Sequence, residues 1–257
     1  FENFIESNMQ QALDSQCFEM VLQPKMDLKT NSVIAAEALV RWRLEDGTYL
    51  PPSSFVDIFE KNLFCSKLDF YMLKKAIQQI RKWIDMGMNP VNISVNQSKI
   101  VFYHENYISE IKSLLEEYNV SGSYITLEVL ESTVIEDIDM FNSILTEVKK
   151  LGFSVSLDDF GSGYSSLNVL SKLQIDELKI DRIFLHTKSE VDNQRTKWIL
   201  ESIIDIAKKS QILVVVEGVE SKQDDLFIKN LGADIGQGYF YGRPLSISAF
   251  NDLIETK

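Results

Sequence analysis

The sequence predicts an α/β fold in which about eight strand–helix units close into a (β/α)₈ barrel. Three observations carry that expectation. Short apolar runs alternate with longer helical patterns. The alternation continues through all 257 residues with no low-complexity segment, long linker or short internal repeat to interrupt it. Nearly every apolar run also ends in a polar or charged residue, as barrel strands do at an active rim. A doubly wound open sheet is the alternative arrangement of the same units.

The strand candidates, in chain order, are Phe18–Gln23, Val33–Leu39, Pro90–Ser94, Tyr124–Val129, Ser154–Asp158, Glu177–Ile180, Leu213–Glu217 and a weaker run near Ile235–Phe240. Helical patterns fill the intervals. Leu73, Ala76, Ile77, Ile80, Trp83 and Ile84 share one face at i, i+3, i+4, i+7 spacing. Phe141, Ile144, Leu145, Val148 and Leu151 repeat the pattern, and Gly152 offers a C-terminal stop. Ile199, Ile203, Ile206 and Ala207 form a third such face. Ser221 caps a further helix that ends at Gly232. Such alternation implies a parallel sheet covered by helices.

Composition narrows the function classes. A net charge of −12 argues against binding a nucleic-acid polymer or an anionic membrane surface, both of which are driven by basic residues. No apolar run approaches the length that spans a bilayer, and the first residues lack the regions of a signal peptide. The expectation is a cytoplasmic protein, or the cytoplasmic part of a membrane-anchored one. The chain does not begin with Met, which suggests a single domain, 1–257, cut from a longer multidomain protein. Cys17 and Cys65 cannot build a disulfide framework. The two histidines form no zinc-like cluster, no Cys-x-x-Cys occurs, and no P-loop or complete dinucleotide fingerprint is present. Oxygen donors are abundant, which favours Mg²⁺ or Mn²⁺ over zinc.

Those donors stand at the strand ends. Asp158-Asp159 closes the run Phe153–Leu157 and is followed at once by Phe160-Gly161-Ser162-Gly163. Adjacent carboxylates repel and resist burial, so a fold tolerates them where a cation lies between them. Glu37, Asn92, Glu128, Lys179, Glu217 and Gln237 occupy corresponding places on other runs. Any one of them reads equally well as the first residue of a solvated loop; seven on seven strands read as a site. Several carboxylates and an amide oxygen can bind one or two divalent ions, which activate water for attack on a phosphodiester. Lys179 could hold that water or neutralise charge on phosphate, and Arg41 could pair with phosphate oxygens.

The residues then match a known family. Glu37-Ala38-Leu39-Val40-Arg41-Trp42 resembles the signature of the EAL domain, a class of cyclic-di-GMP phosphodiesterase. The resemblance runs from Leu22-Gln23-Pro24 to Gln237-Gly238-Tyr239-Phe240 and Pro244, with its densest stretch from Leu157 to Leu167. Leu178-Lys179-Ile180-Asp181 and Glu217-Gly218-Val219-Glu220 also match. An ordered set over more than two hundred residues is far more specific than the three-letter string.

The resemblance implies a modified TIM barrel that uses Mg²⁺ or Mn²⁺, one or two ions per site, to open cyclic di-GMP to linear pGpG. By position it makes Glu37, Asn92, Glu128 and Asp158 ligands of a first metal and Asp159 a ligand of a second. Lys179 resembles the lysine beside the nucleophilic water. Glu217 resembles a glutamate described as general base or metal partner. Gln23, Leu39, Arg41 and Gln237 match positions near the dinucleotide or metal water. Asp181 reads either as a substrate contact or as the cap of the next turn. Glu131 matches the anchor of the loop from Asp159 to about Ser166, which in the family links the metals to a homodimer interface. Family members often carry an upstream sensor or GGDEF domain. The chain departs from the family at Leu130, where Thr is usual, at Leu22 for Tyr, at Val216 for Ala and at Asn96 for Arg. The competing function is a non-catalytic cyclic-di-GMP receptor or regulatory domain; receptors usually lose metal ligands, and the matched ligands are intact.

Overall fold

The computed structural model describes residues 1–134, 138–161, 167–185 and 190–255, and of residues 133, 134, 167–169 and 190–193 the backbone alone. Nine strands follow one another among the described residues: β1 (Phe18–Asp27), β2 (Ser32–Arg43), β3 (Tyr49–Leu50), β4 (Asn92–Gln97), β5 (Ile125–Leu130), β6 (Ser154–Phe160), β7 (Glu177–Ile180), β8 (Leu213–Val216) and β9 (Ile235–Gln237). The helices are α1 (Glu2–Asp14), α2 (Val56–Lys61), α3 (Cys65–Asp85), α4 (Lys99–Phe102), α5 (Tyr107–Tyr118), α6 (Glu131–Val134), α7 (Ile138–Lys150), α8 (Leu167–Lys172), α9 (Glu190–Lys209), α10 (Lys222–Leu231) and α11 (Ile247–Glu255).

The sheet order is β1-β9-β8-β7-β6-β5-β4-β2-β3, and β1 also pairs with β2. Eight strands therefore close on themselves, and the two-residue β3 extends only the end of β2. The barrel is the predicted one with a difference at its seam. β1 runs antiparallel to both β2 and β9, while β2 and β4 through β9 are parallel. The cause is local. Asp27 Oδ1 accepts the backbone N–H groups of Lys29 and Thr30, and Asn31 takes a positive φ, so the chain reverses in a hairpin. A hairpin cannot supply the crossover that a parallel pair requires.

The helices follow from their apolar stripes. α3 buries Leu68, Met72, Leu73, Ala76, Ile77, Ile80 and Trp83 along one side, as the spacing predicts. In α7 Phe141, Leu145 and Val148 are buried, and Gly152 takes the left-handed conformation just beyond the helix end. Ser221 and Asp224 form a reciprocal capping box on α10, and Gly232 ends it in the left-handed region. The face of α9 differs from expectation. Leu200, Ile203, Ile204 and Ala207 are buried, whereas Ile199 is 52% exposed and Ile206 36%. Its apolar residues are spread widely enough around the helix that periodicity left two faces open. The third strand also differs: it begins at Asn92 rather than Pro90 and extends to Gln97, because Pro90 has no backbone N–H to place in a ladder. No described helix is long and apolar enough to cross a membrane.

Candidate active site

The C-terminal ends of the parallel strands carry the acids. Glu37 on β2 lies level with Gln23 on β1 and Ser94 on β4. It is buried and accepts hydrogen bonds from Gln237 Nε2 at 2.6 Å, Asn96 Nδ2 at 3.0 Å and Lys179 Nζ at 3.4 Å. Strand alternation sets Leu39 and Arg41 on the same side of β2, stepping outward toward the rim. Leu39 borders a mainly apolar cavity of about 380 Å³ that Asn96, Leu68, Asp69 and Leu130 also line. Arg41 donates to the Val40 carbonyl at 2.8 Å, and partial burial lowers its pKa.

The sequence expectation for the amide ligand is corrected by register. Asn92 begins β4 and pairs with Ala35, at the opposite end of the strand from the site. Its Nδ2 donates to the Ser123 carbonyl at 3.2 Å, and its Oδ1 accepts from Thr126 Oγ1 at 2.9 Å. Asn96 lies four residues further on, roughly 13 Å along a strand. It pairs with Glu128 on β5, touches Glu37 and opens to solvent. The asparagine of the site is thus Asn96, and the reading of it as a replaced arginine falls with the register. Both asparagines sit in similar apolar–polar alternation, and only pairing with β2 and β5 separates them.

Asp158 and Asp159 are neighbours on β6, and successive strand residues face opposite ways. The pairing of β6 with β7 resolves this by shifting register between Leu157 and Phe160, so that Asp158 and Asp159 form a bulge. Asp159 has φ 57°, a left-handed conformation that aspartate tolerates better than most residues. The bulge turns both carboxylates to the same side. Oxygens of Asp158, Asp159 and Glu217 lie within 4.8 Å of one another, a grouping able to hold a metal ion. Glu217 follows β8 directly. Gly218 after it has φ 68°, and a Cβ there would come within 2.2 Å of the Arg182 side chain, so only glycine lets the chain turn so tightly beside the glutamate.

Lys179 on β7 occupies the middle of these acids. Its ammonium reaches Glu128 Oε2 at 2.8 Å, Glu217 Oε1 at 2.9 Å, Asp158 Oδ1 at 3.0 Å and Glu37 Oε2 at 3.4 Å. Burial would lower its pKa, but the surrounding carboxylates prevail and hold it well above the ordinary lysine value. Asp158, Asp159 and Glu217 also rise, but here burial is the cause rather than the opposing effect. Burial raises each of their pKa values, and like charges add to the rise, against the pull of Lys179. Glu128 differs. Burial alone would raise it, but it is clasped between Lys179 and Lys25, whose Nζ lies 2.7 Å from Oε1, and its pKa falls to about 2. Five carboxylates with one ammonium at their centre remain short of positive charge. Gln237 adds a buried Oε1 with no hydrogen-bond partner. The donor set suits divalent cations.

Beside the acids lies a polar cleft of about 250 Å³, lined by Gln23, Glu37, Asp181, Arg182, Glu217, Glu220, Gln237 and Tyr239, among others. Gln237 Nε2 also reaches Gln23 Oε1 at 3.4 Å, joining β9 to β1 across the seam. Asp181 is the cap of the next turn: Oδ1 accepts from the Ile183 N–H at 2.7 Å at the start of Arg182–Phe184, and the residue also lines the cleft. Glu131 is buried as the first residue of α6. The loop it was expected to anchor lies, from residue 162 to 166, outside the described residues.

Two further positions escaped the sequence reading. Lys25 is fully buried inside the barrel. Asp69 on α3 accepts the N–H of Ser98 through Oδ2 at 2.8 Å, and the hydroxyl of the same serine as well. It thereby ties down the chain two residues beyond Asn96. Burial, opposed by those hydrogen bonds, raises its pKa to about 7. Apolar neighbours in α3 disguise Asp69. The unusual placing of a lysine within the run Met20–Met26 was the available signal for Lys25.

The EAL domain family model matches residues 6–244. The chain belongs to the EAL domain family. This EAL domain is 33% identical over 250 residues to the cyclic di-GMP phosphodiesterase NbdA of Pseudomonas aeruginosa, covering 97% of this chain and 32% of NbdA. It is 30% identical over 248 residues to the cyclic di-GMP phosphodiesterase PdeR of Escherichia coli, covering 96% of this chain and 37% of PdeR. The chain thus spans about a third of the length of these relatives. Among solved structures, the PaMucR phosphodiesterase in complex with c-di-GMP superposes with a TM-score of 0.88 at 32% identity, over 96% of this chain and 99% of that one.

Two measurements test this geometry. Replacing Asn96 by Ala should weaken Mn²⁺ binding, read by isothermal titration, by at least about tenfold. Asn92→Ala should leave it unchanged and lower stability by about 1 kcal/mol through lost hydrogen bonds. The raised pKa of Asp69 favours the folded state while the group is protonated. Its contribution is therefore largest below its unfolded value near 4 and is lost as pH rises to about 7. In urea unfolding at a series of pH values, Asp69→Asn should flatten that decline relative to the parent; an unaltered slope would show that Asp69 titrates normally.

Proposed function

We propose that this EAL domain hydrolyses cyclic di-GMP to linear pGpG, with Mg²⁺ or Mn²⁺ held at the barrel mouth. The observation that carries the reading is the gathering of Glu37, Glu128, Asp158, Asp159 and Glu217 around Lys179, with an amide from Asn96 beside them. The relatives named phosphodiesterases support the choice of substrate.

In this reading Glu37, Asn96, Glu128 and Asp158 hold one cation and Asp159 a second, with Glu217 at the border of the two. When bound, the cations activate water and offset charge on the phosphate. Lys179, with three donors on one ammonium, hydrogen-bonds the attacking water or a phosphate oxygen and stabilises the negative charge that grows as the bond breaks. Glu217 is suited to receive the proton of that water, because it stands among the cation-seeking acids beside Lys179 and burial raises its pKa. Gln237 lines the cleft, and its unpaired Oε1 is an acceptor for water or the substrate. Arg41 pairs with a phosphate oxygen, Gln23 and Asp181 hydrogen-bond the dinucleotide, and Leu39 packs against a base. The polar cleft is lined by Glu37 and the apolar cavity by its strand neighbours Ala38 and Leu39 and by Asn96, which suits a ligand with two halves.

The domain works as a homodimer in the cytoplasm, as one part of a longer protein with an upstream sensor or GGDEF domain. Glu131 anchors the loop that carries dimer state to the cations. One feature favours the second reading, a non-catalytic receptor for the same dinucleotide: Leu130 brings a methyl-rich side chain to the cavity where the family usually has a threonine hydroxyl.

Purified protein with Mn²⁺ or Mg²⁺ should convert cyclic di-GMP to pGpG, followed by anion-exchange chromatography, and EDTA should abolish turnover. Glu37→Ala should lower kcat at least about 100-fold, equivalent to about 2.7 kcal/mol in the barrier. Binding of cyclic di-GMP in Ca²⁺ with no turnover in Mn²⁺ would replace the enzyme by the receptor.

A further inference from the structure

Below the acids the barrel interior is polar again, where packed aliphatic side chains are the rule for this fold. Lys25 enters from the antiparallel strand β1 and is wholly buried. Its ammonium donates to Ser94 Oγ on β4 at 2.7 Å, to Glu128 Oε1 on β5 at 2.7 Å and to Glu177 Oε1 on β7 at 2.9 Å. Three donors thus meet three acceptors, and four strands are joined through one atom. Strand alternation sets this layer one step below the site: Ser94 lies two residues before Asn96, and Glu177 two before Lys179.

Glu128 is the member common to both layers. Oε1 goes down to Lys25 and Oε2 goes up to Lys179. The two grips differ in kind. Lys179 is shared among four carboxylates and belongs to the chemistry. Lys25 faces no substrate cleft, and its remaining partners are structural. We propose that Lys25 is a positioning residue for the metal centre: it holds Glu128 Oε1 permanently, so that Glu128 presents Oε2 alone to a cation. Glu177 and Ser94 hold Lys25 in turn. The brace decides how Glu128 binds as well as where it stands.

The inference rests on the functional reading above, and the experiment separates the two. Mn²⁺ affinity is measured without substrate, from the electron paramagnetic resonance signal of free Mn²⁺, beside thermal unfolding. Lys25→Met strands two buried carboxylates and can unfold the protein, so the decisive variant is Lys25→Met/Glu177→Met, which removes one charge of each sign. A buried pair replaced by apolar side chains commonly keeps its stability. The double variant should therefore melt near the parent yet bind Mn²⁺ about tenfold to a hundredfold more weakly, the usual cost of removing a partner behind a ligand. Glu177→Gln, which leaves Lys25 on Glu128, should bind Mn²⁺ almost as the parent does. A purely structural brace predicts parental affinity in the double variant, and a simple background charge predicts tighter binding in a folded Lys25→Met protein; either result overturns the proposal. No Mn²⁺ binding by the parent would overturn the functional reading and the brace together.

Discussion

Repulsion among carboxylates at one barrel mouth is the constraint to which the rest of this structure answers. Two like charges 4 Å apart cost about 4 kcal/mol at an effective dielectric of 20. A whole domain is stable by only about 5–15 kcal/mol. Five acids in contact would therefore consume the stability of the fold if nothing opposed them. Lys179 opposes them from the centre and Lys25 from beneath. What these two lysines leave uncompensated is the attraction the centre offers to divalent cations. The instability of the acid cluster and its affinity for metal have one origin.

Barrel closure makes that gathering possible. β1 enters by a hairpin and is antiparallel to both neighbours, so Gln23 and Lys25 reach the interior beside Gln237. The parallel strands then bring Glu37, Asn96, Glu128, Asp158, Lys179 and Glu217 to one end from positions up to 180 residues apart. The acids need no flexible loop to find one another. They stand on hydrogen-bonded strands or, for Glu217, directly after one, which is how a fold keeps a charged site in register. An irregularity at the site itself, the bulge at Asp158-Asp159, lets two consecutive residues serve the same side of the sheet.

Much of the site was legible before folding. A doubled aspartate ahead of a glycine turn, a lysine inside an apolar run and a glutamate closing four aliphatic residues are each costly to bury. Such costs are visible locally because desolvation does not depend on knowing the neighbour. The barrel was legible for a similar reason, since strand and helix periods are local. Errors arose where two local patterns were equally good. Asn92 and Asn96 share the same alternation, four residues apart. The apolar residues of α9 allow two faces, and the buried one is Leu200, Ile203, Ile204 and Ala207. Asp69 on α3 reads as an ordinary helix charge, and only packing encloses it and Lys25 on β1.

Residue chemistry alone announced the family, the barrel, and the cation-seeking character of the strand ends, because burial cost, periodicity and motif order are properties of the chain itself. Pairing between strands settled the remainder: that Asn96 and not Asn92 meets Glu37, that the first strand is reversed, that Asp158 and Asp159 face one way, and that Glu128 is gripped by two lysines. Those facts depend on which residue stands opposite which, and a register slip of one residue would send every side chain to the other face. Only the closed barrel selects that register.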